Sequence, residues 1–141
     1  MTMNELIPPV SEQLSDSTPE SFQAYARFVE KLDGVIEEAQ QYYQAQMPGQ
    51  IQCKAGCFSC CRNDFRVSLI ESMVLAHAIR RLPSAVQEQI GSAAHRSENT
   101  NCPLLLDGQC SVYAERPVLC RIFGLPVFDG EQMATCELNF Q

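Results

Sequence analysis

The densest feature of this chain is the nine-residue run CKAGCFSCC, which holds four cysteines. Four more follow at wider spacing, so the 141 residues carry eight in all. That share is well above the share in an ordinary globular domain. The full set is Cys53, Cys57, Cys60, Cys61, Cys102, Cys110, Cys120 and Cys136. The chemical state of these thiols therefore constrains the fold and the function more than any other feature.

The N-terminal sequence bears on whether these thiols are reduced. The stretch MTMNELIPPVSEQLSDSTPE has neither the basic start nor the apolar core of a secretory signal. Apolar runs such as MVLA and PLLL are too short to cross a bilayer. We therefore expect a cytoplasmic protein with no membrane partner, in which clustered cysteines bind metal more often than they pair. A disulfide framework, which export would favour, and inert buried thiols are the alternatives.

Composition indicates a folded domain and argues against a nucleic-acid partner. Hydrophobic residues make up 45% of the chain and charged residues 19%. This length suffices for one domain with its own core. Ten Lys and Arg against 17 Asp and Glu give a formal charge of −7. A protein that binds phosphate backbones needs a basic stripe to release counterions, and the sequence has none.

Three regions are predicted along the chain. Residues 1–17 are polar with paired prolines, which predicts a disordered tail. Residues 18–47 predict one long helix, because apolar residues recur every three or four positions until Pro48-Gly49. The apolar stripe consists of Phe22, Tyr25, Val29, Leu32, Ile36, Ala39 and Tyr43. It lies across the chain's own core in the interpretation we favour, or forms a coiled-coil seam to a protein partner. Residues 48–141 form the predicted cysteine-cluster metal-binding domain.

Two further helices are predicted after the cysteine run. Ser68 and Glu71 have the spacing of a capping box and open a helix that runs to about Arg81. A second such pattern opens a helix from Ser84 to about Glu98. Each of these helices carries one histidine. His77 falls among apolar residues, which predicts a packed core side chain. His95 is late in its helix, which predicts a solvated side chain.

The remaining segments predict short elements. Asp107-Gly108 between two apolar runs predicts a β-hairpin turn. A short helix is expected between 116 and 124, followed by an irregular tail over 125–141. The predicted fold class is mainly α with a short β-hairpin: a small metal-stabilised single domain with its cysteines on loops. Metal ligands commonly lie on loops, where the backbone can fold around an ion.

The cysteine spacing fits an all-thiolate metal site, and all eight cysteines are candidate ligands. A Cys-x2-Cys turn such as Cys57–Cys60 lets two thiolates converge on one ion. Cys61 is adjacent to Cys60, so their side chains could diverge to different centres. Three arrangements are open: two zinc sites of four thiolates, one four-iron cluster with spare thiols, or one metal site beside a thiol network. Zinc is the favoured metal, and iron or a 4Fe–4S cluster is the alternative.

Two separated motifs resemble those of the YkgJ-type cysteine-cluster family, described as zinc- or iron-chelating domains. They are C-KAG-C-FS-CC and, later in the chain, CPLLLDGQCSVYAERPVLCRIFG. The resemblance covers about residues 53–136 and implies metal binding through the matched cysteines. One branch of the family looks like the flagellin lysine N-methylases, which carry this module in a longer chain. The present sequence has no recognisable motif for binding S-adenosylmethionine.

Two hypotheses for function follow. The leading one is a metal-binding protein with a structural, metal-handling or accessory role. The alternative is an iron–sulfur redox protein or a cluster-dependent transferase related to protein lysine N-methylases. In the alternative, Arg116 and Arg121 contact an anion or substrate, whereas the favoured interpretation is local ion pairing, with Glu115 as a candidate. Because no catalytic triad, carboxylate pair or phosphate loop is recognisable, no catalytic residue is assigned.

Overall fold

The computed structural model describes residues 19–54, 56–96, 101–128 and 130–141. Its helices are α1 (Glu20–Gln46), α2 (Leu69–Arg81), α3 (Ser84–Ala94) and α4 (Val118–Ile122), with 3₁₀ turns at Ser59–Arg62 and Tyr113–Glu115. Its strands form two antiparallel pairs, β1 (Leu105–Leu106) with β2 (Gln109–Cys110) and β3 (Val127–Phe128) with β4 (Met133–Ala134). The predicted fold class, a mainly helical single domain with a short hairpin and loop cysteines, is confirmed. The predicted tail over 1–17 lies outside the described residues.

Helix α1 packs on the rest of the domain, and the face that it packs with is the predicted apolar stripe. All seven residues of the stripe are buried or half-buried. The helix packs against α2 and α4, and Phe140 closes over its end with its ring 5.2 Å from that of Tyr43. The stripe therefore packs against the chain's own core, which is the interpretation favoured from the sequence; a protein partner through helix 18–47 stays a prediction.

Helices α2 and α3 and the first hairpin enclose the main hydrophobic cluster. Its buried members are Ala78, Leu82, Ile90 and Val112. The predicted capping box at the start of α2 is present. The pattern at the start of α3 does not form a box: Pro83 precedes the helix, and the Gln87 amide instead donates to Leu82 O at 2.7 Å. Helix α3 ends at Ala94, before the predicted limit, and residues 97–100 are outside the described part.

The first hairpin forms at the predicted turn. Asp107 and Gly108 have φ of +49° and +75°, and the two-residue turn favoured in hairpins needs positive φ at both positions. Leu105 pairs with Cys110 in the resulting register, so the turn returns Cys110 to the level of the Cys102 loop. A second hairpin, β3–β4, lies in the segment predicted to be irregular, and that prediction was wrong.

The prediction that His77 packs in the core was also wrong. Helix α2 buries the face that carries Glu71, Val74 and Ala78, which lie three and four residues apart. His77 is off this face and exposed, and Met73 beside it is 46% exposed.

None of the described helices is both long and apolar enough to cross a membrane.

Candidate metal centre

Six of the eight cysteines line one cavity of about 750 Å³. They are Cys57, Cys60, Cys61, Cys102, Cys110 and Cys120. None of the eight cysteines is in a disulfide, and the six around the cavity are half-buried. Apolar side chains such as Phe58, Phe65 and Leu104 supply much of the remaining wall. The fold therefore brings sulfur from both sequence motifs to a single place.

The first motif presents its cysteines through a tight turn and a 3₁₀ helix. Gly56 has a φ of +88°, a conformation that L side chains rarely adopt. Cys57 N donates to Lys54 O at 3.0 Å, and Cys61 N donates to Phe58 O at 3.0 Å. Adjacent Cys60 and Cys61 both line the cavity, and their divergence to different centres stays a prediction.

One backbone contact joins the second motif to the first. Cys102 N donates to Cys61 O at 2.7 Å, and Leu105 N then donates to Cys102 O at 3.0 Å. This turn leads directly into the hairpin that carries Cys110 in β2, while α4 supplies Cys120. Because these bonds are made by the backbone, the positions of the two motifs relative to each other do not depend on the thiols alone.

The other two cysteines do not line this cavity. Cys53 accepts a hydrogen bond from Asn139 Nδ2 at 3.3 Å and packs against Gly124. Cys136 is buried, with 5% exposure; burial raises the pKa of Cys53, the hydrogen bond from Asn139 acts in the opposite direction, and repulsion from Cys136, Cys57 and Cys60 adds to the effect of burial. Asn139 N donates to Cys136 O at 2.9 Å, so the same asparagine contacts Cys136 and Cys53, the first cysteine of the first motif.

Asn139 connects three segments around Cys53, and sequence reasoning did not find it. Its side chain is buried; Oδ1 accepts from Gln52 N at 2.9 Å, and Nδ2 donates to Gly124 O at 2.6 Å. The partners are distant along the chain, and an asparagine in an irregular segment has no periodicity that would single it out. Asn139 therefore acts as a positioning residue for Cys53.

The electrostatics of the cavity favour neutral thiols. Burial, followed by repulsion from Cys60 and Cys102, raises the pKa of Cys61 to about 12. Burial raises the pKa of Cys120 to about 11, and it also raises the pKa of Cys110. A cation among these groups would reverse the effect, since opposite charge favours the thiolate.

Arg116 is a cation on the cavity wall. Its guanidinium carbon lies 3.5 Å from the centre of the Tyr113 ring, and Nε donates to Tyr113 O at 2.9 Å. Its charge lowers the pKa of Cys60, Cys110 and Cys120, although burial outweighs it at each thiol. Arg116 therefore has the position expected of a residue that offsets thiolate charge.

Arg121 has a different role from Arg116. Its side chain is only 5% exposed and pairs with Asp33 of α1, with Nη1 2.7 Å and 2.9 Å from the two carboxylate oxygens. Nε donates to Arg116 O at 2.7 Å, and Nη2 donates to Ala114 O. Ion pairing was expected for this residue, but its partner is distant in sequence. Arg121 thus holds α4 and the turn before it against α1.

Glu71 fixes the other end of α4. Its buried carboxylate accepts from Val118 N at 2.8 Å and from both the backbone and the hydroxyl of Ser68 at 2.7 Å. Burial alone would raise the pKa of Glu71, but these hydrogen bonds outweigh it and hold the pKa below its ordinary value. Helix α4, which carries Cys120, is therefore attached to α2 as well as to α1.

The donor set around the cavity fits a soft metal. Thiolate ligands select zinc, iron–sulfur clusters or copper(I), while His77 and His95 are exposed and off the wall. In the part of the chain that the structure describes, no three His, Cys, Asp or Glu side chains are grouped as a finished metal shell. The thiols would therefore have to close around an ion, as they do where metal binding is coupled to folding.

A family model matches this part of the chain. The model CxxCxxCC, with the description "Putative zinc- or iron-chelating domain", covers residues 52–137. The matched range contains all eight cysteines and leaves α1 outside it. Comparison with curated proteins and with solved structures gave no match.

Proposed function

We propose, from the premise that the chain belongs to the CxxCxxCC family of zinc- or iron-chelating domains, that it is a cytoplasmic metal-binding protein with a structural, metal-handling or accessory role. The observation that carries this proposal is the convergence of six cysteines from two motifs on one cavity. Thiols such as Cys61 and Cys120, whose pKa is raised by burial and then by repulsion from neighbouring thiols, are stabilised as thiolates by a metal cation.

All eight cysteines are proposed ligands, arranged as an inner and an outer set. The six cavity cysteines form the inner set and hold the first metal centre. Cys53 and Cys136 form the outer set, which extends the first centre or contributes to a second one with the inner thiols left over. Asn139 and Gly124 position the outer set, and Arg116 balances the charge of the inner one.

Zinc is the proposed metal, and iron or a 4Fe–4S cluster is the alternative. A closed tetrahedral shell of four thiolates is typical of structural zinc. The short elements around the cavity supply few buried side chains, so an ion that links them would stabilise the fold. Apparent binding energies in small zinc modules are about 10–16 kcal/mol, which is enough to order such loops.

The size of the cavity supports a second candidate function. About 750 Å³ is far more than one ion occupies and is in the range of ligand pockets. An iron–sulfur redox protein or a cluster-dependent transferase, related to protein lysine N-methylases, would use this space for a reactant. Arg116 on the wall would then contact an anionic group. A bound iron–sulfur cluster would supply electron transfer or a Lewis-acidic iron.

Metal analysis of matched variants tests the leading proposal. We expect protein purified without oxygen to be colourless and to carry one or two equivalents of zinc by plasma mass spectrometry. Cys60→Ser should lose at least about half of that metal, because it removes one inner thiolate. Ser59→Ala, one residue earlier in the same 3₁₀ turn, should keep it.

The outcomes separate the two functions. Brown protein with iron and acid-labile sulfide would favour the second candidate, and folded protein without metal would contradict both. If Cys60→Ser is insoluble, thiol titration of the wild type with a mercurial reagent can replace it. A chromophoric chelator should then report metal release in step with thiol modification.

A further inference from the structure

Helix α1 carries a second apolar stripe that faces solvent. Phe28, Val35 and Tyr42 are 50%, 62% and 61% exposed. They are seven residues apart, which is about two helical turns, so they form one line along the helix. This line is separate from the seven-residue stripe that covers the core. Large apolar side chains aligned on one exposed face indicate an interaction surface.

The rings at both ends of this line are held by neighbours that face the core. Phe28 lies 6.4 Å from the Tyr25 ring, and Tyr42 packs edge-on against Tyr43 at 5.4 Å. Tyr25 and Tyr43 are half-buried, so the exposed rings are positioned before any partner arrives. Such preorganisation lowers the entropy cost of association.

The charges beside the line identify the kind of partner. Lys31 and Glu38 flank the same side of it, again seven residues apart, with Val35 between them. In an antiparallel pair of α1 helices centred on Val35, Phe28 faces Tyr42 of the other copy, and Lys31 lies beside Glu38 of the other copy. A parallel pair would instead set Lys31 level with Lys31 and Glu38 level with Glu38.

We propose that the exposed face of α1 binds α1 of a second copy of this chain, antiparallel, with the two-fold axis at Val35. The apolar line supplies the buried area, and the two symmetry-related Lys31–Glu38 pairs set the direction. The helix lies outside the family's matched range, so the surface belongs to this chain rather than to the common cysteine module. The proposal is independent of metal binding.

Sedimentation analysis of the full chain under reducing conditions tests it. Wild type should be a concentration-dependent dimer. Val35→Glu should raise the dimer dissociation constant at least about ten-fold, because two carboxylates then meet at the axis. Lys31→Glu and Glu38→Lys should each raise it about five-fold, and the double swap should restore it, since opposite charges face each other again.

Glu30→Lys is the matched control for Glu38→Lys, because it makes the same charge change on another exposed face of α1. It should leave the dissociation constant near the wild-type value. All these positions are exposed, so circular dichroism should show unchanged helix content. A wild type that stays monomeric at its highest soluble concentration, or a dimer that Val35→Glu leaves intact, would overturn the proposal. A double swap as weak as the single ones would overturn the antiparallel arrangement.

Discussion

At Gly124 the backbone meets two constraints together. Its φ is +105°, which disfavours any L side chain, and a Cβ added there would collide with Cys53 Sγ and lie 3.1 Å from Asn139 Nδ2. Gly130 has almost the same φ, +106°, but a Cβ there would meet open space. Comparing a substitution at Gly124 with the same substitution at Gly130 therefore separates the cost of backbone strain from the cost of the contact with Cys53.

We expect Gly124→Ala to reduce the free energy of unfolding by about 2–4 kcal/mol, since strain and overpacking act together. Gly130→Ala should cost about 1–2 kcal/mol, from the backbone alone. Urea denaturation of both variants gives the comparison. Equal losses would show that the contact between Gly124 and Cys53 contributes nothing.

At the scale of elements, α4 is held at both ends by polar contacts. It has five residues, too few to be stable as an isolated helix. Glu71 accepts the Val118 N–H at its start, and Arg121 near its end pairs with Asp33. These contacts join α4 to α2 and α1 and thereby set the position of Cys120.

Glu71→Gln tests the first of these contacts. Glutamine keeps the shape but loses carboxylate acceptors, so we expect a loss of about 1–3 kcal/mol in unfolding free energy near pH 7. The pKa of Glu71 is lowered by folding, so its contribution is present above the unfolded value of about 4.3 and is lost as the pH falls through the folded pKa. The stabilities of wild type and Glu71→Gln should therefore converge in acid.

The control for this change is Glu88→Gln on the exposed side of α3. Glu88→Gln should leave the free energy of unfolding nearly unchanged, both near pH 7 and in acid, because an exposed carboxylate gains little stabilisation on folding. If the difference in unfolding free energy between wild type and Glu71→Gln stayed constant from pH 7 into acid, the hydrogen-bonded carboxylate would not be the source of that difference.

Local signals in the sequence predicted the elements well. The apolar stripe predicted α1, Ser68 with Glu71 predicted the start of α2, and Asp107-Gly108 predicted the first hairpin. Each of these rests on contacts within a few residues. The second hairpin has short strands without alternation, so it gave no such signal.

At the scale of the whole molecule, the parts that escaped prediction depend on contacts between distant segments. The two cysteine motifs are joined by the backbone bond between Cys61 and Cys102, and no spacing rule encodes it. Likewise, Glu71 was predicted as a capping residue, but its bond to Val118 is known only from the fold. Composition and spacing can identify the candidate ligands, while the tertiary structure shows which of them meet.

Above all, we propose that the cavity cysteines jointly hold a metal ion through sulfur. X-ray absorption at the metal edge, on the full chain purified without oxygen, tests it most directly. We expect a first shell of sulfur alone, at about 2.3 Å for zinc. A shell in which nitrogen or oxygen predominates would contradict it, because exposed His77 and His95 or carboxylates would then be the ligands in place of the cavity thiols.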